Sequence, residues 1–198
     1  MRLRQQTPKT ETHAGSLLVA LPCLLDSNFR RTILFLSHHD PEEGSVAFIL
    51  NRPREFSLSD LSDPADPAPG LPTVSGGAEQ IPVYEGGPVE RKSLIVARIH
   101  WHEERAVFRS LGEEELPSPS GQEDHEELRA FTGYAGWSAG QLEREIKERS
   151  WIILPPTVDL LLPVETAEEG VARWRAIMKK LGPWHHLMAQ APDELGLN

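Results

Sequence analysis

Residues 16–50 read SLLVALPCLLDSNFRRTILFLSHHDPEEGSVAFIL, and this stretch decides the fold. Ser16–Ala20, Thr32–Leu36 and Ser45–Leu50 are short apolar runs, the pattern of buried strands. Pro22 closes the first run, because proline has no N–H to give to a strand ladder. Ser37–Gly44 places Pro, Asp and Gly between the second and third, as a hairpin loop does.

Working outward, residues 1–14 are polar and read as a flexible arm. Downstream, Ile81–Glu85 and Leu94–Ile99 are strands on either side of Gly86-Gly87-Pro88. Leu128–Tyr134 and Trp151–Leu154 are further strands. Two segments interrupt them. Arg52–Gln80 carries Pro53, Pro64, Pro67, Pro69 and Pro72; Glu113–Glu127 is acidic and carries Pro117, Pro119 and Gly121. Both are expected as exposed loops, spanning about 53–80 and 112–127, with one helical turn around Leu58–Leu61. Pro53 is expected to stop the strand before it.

Two helices are well marked. Ala139–Arg149 follows Ser138, with Gln141 three residues on as in a capping box, and with Trp137 and Leu142 spaced as a hydrophobic staple. Glu143–Lys147, Arg144–Glu148 and Glu145–Arg149 stand four residues apart with opposite charge. Ala167–Leu181 starts at Thr166 with Glu169 three residues on, carries a stripe of Val171, Trp174, Met178 and Leu181, and stops at Gly182-Pro183. There is no internal repeat, and strands and helices do not alternate regularly. The fold class expected is α+β: one domain over 15–198, with a mixed sheet rather than a doubly wound parallel one.

The chain has 198 residues, 39% of them hydrophobic, enough for one real core. Its formal net charge of −10 repels phosphate backbones, and Arg2/Arg4, Arg30/Arg31 and Lys179/Lys180 are only short basic pieces. A nucleic-acid partner is therefore not expected. The single cysteine, Cys23, excludes an internal disulfide and a multi-thiolate zinc site. Flanked by Leu21-Pro22 and Leu24-Leu25, it is expected to be buried and chemically ordinary. Met1–Thr12 lacks an apolar targeting core, and Leu17–Leu25 is too short to span a bilayer. A cytoplasmic location without membrane partners is the expectation.

Three segments taken together resemble the bacterial YqgE/AlgH family. They are GSLLVALPCLLDSNFRRTILFLSHHDPEEGSVAFILNRP (Gly15–Pro53), VYEGGPV (Val83–Val89) and GYAGWSAGQLEREIKERSW (Gly133–Trp151). SLIVARIH after GGPVERK is most similar to actinobacterial-type members. The resemblance implies an α+β fold with a curved, barrel-like sheet and packed helices. It implies no reaction. The label of transcriptional regulator that members often carry is at odds with an acidic chain lacking a helix-turn-helix pattern. Many relatives have Cys-Glu-His where this chain has Ser37-His38-His39. His39 matches the family histidine, but thiolate chemistry at position 37 is lost.

Candidate ligand-binding residues are Arg31, His39, Asn51, Arg52, Gly86 and Gly87. Arg52 in Asn51-Arg52-Pro53 sits at a strand end, where a guanidinium can clamp a carboxylate or phosphate; the same segment can simply end the strand. Arg31 follows Asp26 and Phe29, so it is either a ligand group or the structural partner of Asp26. Gly86-Gly87 is either an anion nest or a tight turn. Of the eight histidines, His100 and His102 fall on one strand face, yet no HExxH or comparable array appears, and no metal is expected. No nucleophile elbow, phosphate loop or dinucleotide fingerprint is present, so no catalytic residue or cofactor is assigned. Finally, Gly133–Gln141 reads as a glycine-rich turn that docks a helix, with Gly136 and Gly140 lying close against a strand.

Three functions are compatible with these features. The first is a non-enzymatic binding or regulatory protein with protein partners. The second is a small-molecule binder, or an enzyme without a familiar motif, using a pocket near Arg31, His39, Asn51 and Arg52. The third, a DNA-binding regulator, ranks last. The first two separate on whether those side chains converge on one cleft.

Overall fold

The computed structural model describes residues 14–61, 81–102, 105–111 and 126–191. Along the chain run β1 (Leu17–Ala20), β2 (Ile33–Asp40), β3 (Gly44–Ile49), β4 (Pro53–Ser57), α1 (Leu58–Leu61), β5 (Pro82–Glu85), β6 (Val89–His102) and β7 (Arg105–Ser110). They continue with β8 (Glu126–Trp137), α2 (Gln141–Lys147), β9 (Trp151–Leu154), α3 (Val158–Leu161), α4 (Ala167–Leu181) and α5 (Pro183–Met188). The nine strands form one mixed sheet in the order β4-β5-β8-β3-β2-β1-β9, with β6 on β8 and β7 on β6. The α+β class holds. The sheet does not close into a barrel: among the described residues β9 pairs only with β1, β7 only with β6 and β4 only with β5.

β8 is long enough to serve three neighbours. Its end, Ala135–Trp137, pairs with Ser45–Ala47 of β3, while Ala130–Thr132 runs parallel to Val83–Glu85 of β5. Its opposite edge pairs with β6 from His100 to Leu94, then shifts register before Val89. The apolar runs are buried on both faces because both are covered. On one face Leu17, Phe35, Phe48 and Leu50 pack with Tyr84, Phe131, Leu161 and Val164. Val19 and Ile33 receive Trp174, Ile177 and Met178 of α4, and the Trp174 indole N–H donates to the Ala20 carbonyl at 2.7 Å. On the other face Leu18, Leu34, Leu36, Ala47 and Ile49 meet Trp137, Leu142 and Trp151. Each buried Val, Leu, Ile, Phe or Met among them contributes roughly 1.5–3 kcal/mol by leaving water.

Several expectations are corrected. The 37–44 hairpin loop shrinks to Pro41-Glu42-Glu43, since β2 continues through Asp40. Asp40 makes this short turn work: its Oδ1 accepts the N–H groups of Glu42 and Glu43 at 2.7 and 3.0 Å. Those bonds hold its carboxyl below the usual carboxylate range. Pro53 begins β4 rather than ending structure; an edge strand tolerates a residue without an N–H. β6 and β8 are longer than their apolar cores, and β7 had no sequence signal strong enough to identify it. Residues 1–13, 62–80 and 112–125, which hold most of the expected arm and both expected loops, lie outside the described residues.

The Gly133–Gln141 segment is mostly strand, and α2 starts only at Gln141, after a left-handed Gly140 at φ 67°. Ser138 does not cap with its side chain. Instead, Gln141 Oε1 accepts both the Ser138 N–H and its hydroxyl, each at 3.1 Å. Gly136 and Gly140 are not close-packed. The tight crossing is elsewhere: a Cβ on Gly86 would lie 2.1 Å from the Gly133 carbonyl oxygen, and one on Gly87 2.2 Å from the Tyr134 carbonyl carbon.

A candidate anion-binding cleft

The β1–β2 connection is built by its own polar groups. Asp26 Oδ1 accepts the Asn28 N–H at 2.7 Å, and its carbonyl accepts the Phe29 and Arg30 N–H groups. Phe29 then stacks on Trp137 at 6.0 Å and meets the edge of Trp151 at 5.4 Å, anchoring the loop on the core. Asp26 thus serves backbone rather than pairing with Arg31, and the sequence-based pair is corrected. Arg31 takes a left-handed backbone, φ 58°, which a non-glycine residue adopts at a cost of roughly 1–3 kcal/mol.

Asn51 holds that conformation. Its Nδ2 donates to the Arg31 carbonyl at 2.9 Å and to the Gly170 carbonyl at 3.0 Å; its Oδ1 accepts the Ile33 N–H at 2.8 Å. The buried amide joins β2, β3 and α4 and has no donor left for a ligand. Gly170 permits the contact, since a Cβ there would lie 2.0 Å from the Asn51 carbonyl oxygen. Arg52 is a second brace. Its Nη2 donates to the Ser27 and Arg30 carbonyls at 3.2 and 3.0 Å, and its Nη1 lies 3.4 Å from Glu85 Oε1. Burial pushes the Arg52 pKa down, and the Glu85 carboxylate opposes that shift.

Between these braces lies a cleft of about 360 Å³ lined by Ser27, Arg30, Arg31, Asn51, Arg52, Ala167 and Val171. Arg30, Arg31 and Arg52 thus line a cleft beside the first turns of α4, where the helix turns its positive end. Arg31 Nη2 donates to the Ala191 carbonyl at 2.7 Å, and its guanidinium sits 5.9 Å over the Trp174 ring.

Of the sequence candidates, Arg31, Asn51 and Arg52 share this cleft. Gly86 and Gly87 do not line it and are buried against β8. The Gly86 N–H goes to Thr132 and its carbonyl to Ile49, so it presents no nest donor. His39 is elsewhere. It pairs with Ser45 at the far end of β3, six residues from Asn51, or roughly 20 Å along a strand. There its Nδ1 lies 2.8 Å from Ser45 Oγ and its Nε2 3.4 Å from Glu143 Oε1, which ties the hairpin to α2. Ser37 donates its hydroxyl to the Val46 carbonyl at 3.1 Å.

Sequence reasoning missed Arg30, Ser27 and the α4 residues of the cleft; only the Arg30-Arg31 doublet hinted at them. It also missed a polar lock across the opposite core. The Tyr84 hydroxyl donates to the Val164 carbonyl at 2.9 Å and accepts its N–H, while Arg129 and Arg173 donate to the carbonyls of Leu161, Leu162 and Pro163. Cys23 is a further correction: it is exposed, with its thiol donating to the Arg149 carbonyl at 3.1 Å. Proline ends β1 before the cysteine, and the leucines around it do not bury it. Among the described residues no cluster of three His, Cys, Asp or Glu is placed to hold a metal ion, and no helix is long and apolar enough to cross a membrane.

With this geometry in hand, the likeness to known proteins is clear. A UPF0301 protein of Chlorobium luteolum is 35% identical over 201 residues, covering 93% of this chain and 94% of the relative. One from Thermobifida fusca is 32% identical over 196 residues, with 93% and 94% covered. Neither name carries a reaction or a ligand. In fold, the chain resembles a Corynebacterium diphtheriae protein solved by crystallography, with TM-score 0.61 and 21% identity over 91% of this chain and 93% of that one. It also resembles AlgH from Pseudomonas aeruginosa, with TM-score 0.58 and 24% identity over 90% and 94%. The AlgH-like family model matches residues 17–186, and the chain belongs to the AlgH-like family.

Proposed function

We propose that this protein is a non-enzymatic, cytoplasmic binding protein whose ligand is a small anion, held in the cleft of Arg30, Arg31 and Arg52. The observation that carries this reading is that Arg30, Arg31 and Arg52 all line one 360 Å³ cleft beside the start of α4. Asn51 and Arg52 supply the rigid frame, and Arg30, Arg31 and Arg52 together make the lining cationic. A net charge of −10 over the chain makes such a local positive site selective for small anions over nucleic acid, which argues against the regulator reading. A response passed to a protein partner fits the absence of a catalytic motif in the sequence.

The test is a titration of the full chain with inorganic phosphate and with butyrate, followed by amide and arginine side-chain NMR. Saturable shifts centred on residues 27–31, 51–52 and 167–171, weakened about tenfold or more by Arg30→Gln, are expected. No saturable shift, or shifts indifferent to Arg30→Gln, overturns the reading. Arg30→Gln leaves in place the Arg30 backbone carbonyl that braces Arg52.

A further inference from the structure

β6 leaves its ladder for four residues. Val89 pairs with Tyr134 of β8 and Leu94 with Thr132, so Glu90, Arg91, Lys92 and Ser93 stand opposite Gly133 alone. A bulge of this kind re-aims side chains that a regular strand would hold in the sheet. Gly133 makes room for it: its φ is 70°, and a Cβ there would lie 2.5 Å from the Val89 carbonyl oxygen and 3.2 Å from the Arg91 Cα. Glu90 takes φ 49°, a left-handed backbone that residues with a side chain rarely adopt.

The bulge brings Arg91 to the β1–β2 connection, where its Nη2 donates to Asn28 Oδ1. Arg52 holds the neighbouring residue, with its Nη2 on the Ser27 carbonyl, and shares Glu85 with Arg54. Arg52 Nη1 lies 3.4 Å from Glu85 Oε1, and Arg54 Nη2 lies 3.6 Å from Oε2. Among the described residues one carboxylate thus serves two guanidiniums, Arg91 has a neutral amide, and exposed Lys92 makes no ion pair. The other carboxylates close by are engaged: Glu90 accepts the Ser93 hydroxyl at 3.4 Å, and Asp26 accepts the Asn28 N–H. Burial first lowers the Arg52 pKa and Glu85 opposes it; the Arg54 and Arg91 charges then lower it further, so the three guanidiniums repel one another.

We infer that Arg54, Arg91 and Lys92 form a docking surface for an acidic segment of a protein partner, a run of Asp or Glu carboxylates. These cations are exposed, so an ion pair with a lone carboxylate is weak, whereas several carboxylates on one chain add. A nucleic-acid duplex carries its charge past the patch on both sides and meets the rest of a chain with net charge −10; a short acidic segment ends where the cations end. None of the three residues lines the arginine cleft, so this surface stands apart from the anion-binding reading.

The test is fluorescence anisotropy of a labelled hexaglutamate peptide with the full chain at low salt, mapped by amide NMR. Saturable binding with shifts centred on residues 52–54 and 90–93 is expected, weakening as salt rises. Lys92→Gln, which removes no contact, and Arg54→Gln each weaken it about threefold, and Arg91→Gln with Lys92→Gln about tenfold. Arg91→Lys, which keeps the charge, weakens it less than Arg91→Gln. Lys179→Gln with Lys180→Gln removes the same charge from the last turn of α4 and leaves binding unchanged. No saturable binding, or an equal loss from the α4 pair, overturns the proposal. Shifts confined to residues 27–31 and 167–171 put the peptide in the arginine cleft, which overturns the docking surface and leaves the anion site standing. A short DNA duplex or phosphatidylglycerol vesicles bound more tightly than the peptide, with the same loss in the Arg91→Gln, Lys92→Gln variant, overturn it in favour of nucleic acid or a membrane surface.

Discussion

Glu145 offers the sharpest test of how the second core is held. Its Oε2 accepts the indole N–H groups of Trp137 and Trp151, both at 2.8 Å, and its Oε1 accepts Gln141 Nε2 at 2.9 Å. Trp137 and Trp151 are 5% and 2% exposed, and their rings meet edge to face at 5.8 Å. Glu145→Ala strands two buried donors that water cannot easily reach. An unsatisfied buried group costs about 1–3 kcal/mol, so the substitution is expected to cost roughly 3–5 kcal/mol. Glu145→Gln keeps an oxygen for the indoles but loses the charge and turns an N–H₂ toward Gln141, for roughly 1–2 kcal/mol. Urea unfolding followed by far-ultraviolet circular dichroism avoids the altered tryptophan emission, and an unchanged slope shows that midpoint shifts report stability. A loss under about 1 kcal/mol for the alanine variant refutes the clamp and returns Glu145 to an ordinary surface carboxylate.

Three further outcomes follow from the same geometry. Asn51→Ala removes three hydrogen bonds and leaves the Ile33 N–H buried, so urea unfolding is expected to show a loss of about 3 kcal/mol. Gly170→Ala drives a methyl into the Asn51 carbonyl; α4 must shift, and amide exchange is expected to rise in α4 before it rises in β1–β3. Burial raises the Tyr84 pKa above the ordinary 10.0. Its contribution is therefore complete below pH 10 and lost as pH rises through the folded value, because only the unfolded phenol releases its proton first. Tyr84→Phe is expected to flatten that alkaline loss relative to the parent in urea midpoints between pH 9 and 11, and to cost about 1 kcal/mol at neutral pH.

What the sequence could reveal followed the range of each interaction. β1, β2 and β3 were legible because burial on both faces writes itself as consecutive apolar residues. α4 was legible because Thr166 and Glu169 act within one turn: Thr166 Oγ1 accepts the Glu169 N–H at 3.2 Å. Glu145 and Glu143 were misread for the opposite reason. Helical spacing offers Arg149 and Lys147 as partners, but a half-buried carboxylate gains more from fixed donors than from a solvated cation. Glu145 therefore turns to two indoles from the strands that precede and follow α2 in the chain, and Glu143 meets His39 of β2. The cleft shows the same division. Arg31, Asn51 and Arg52 could be singled out because they flank strand ends, and His39 was grouped with them only because it is close in sequence. Strand direction separates them, since a hairpin carries its turn and its open end to opposite ends of its strands. Arg30 comes with Arg31 on the β1–β2 loop, but the α4 residues join the cleft through Gly170, where the missing side chain lets a helix more than a hundred residues later rest on the Asn51 backbone. No local pattern encodes that contact, and it is the contact that brings α4 against two structural braces and an arginine doublet as the walls of one cleft.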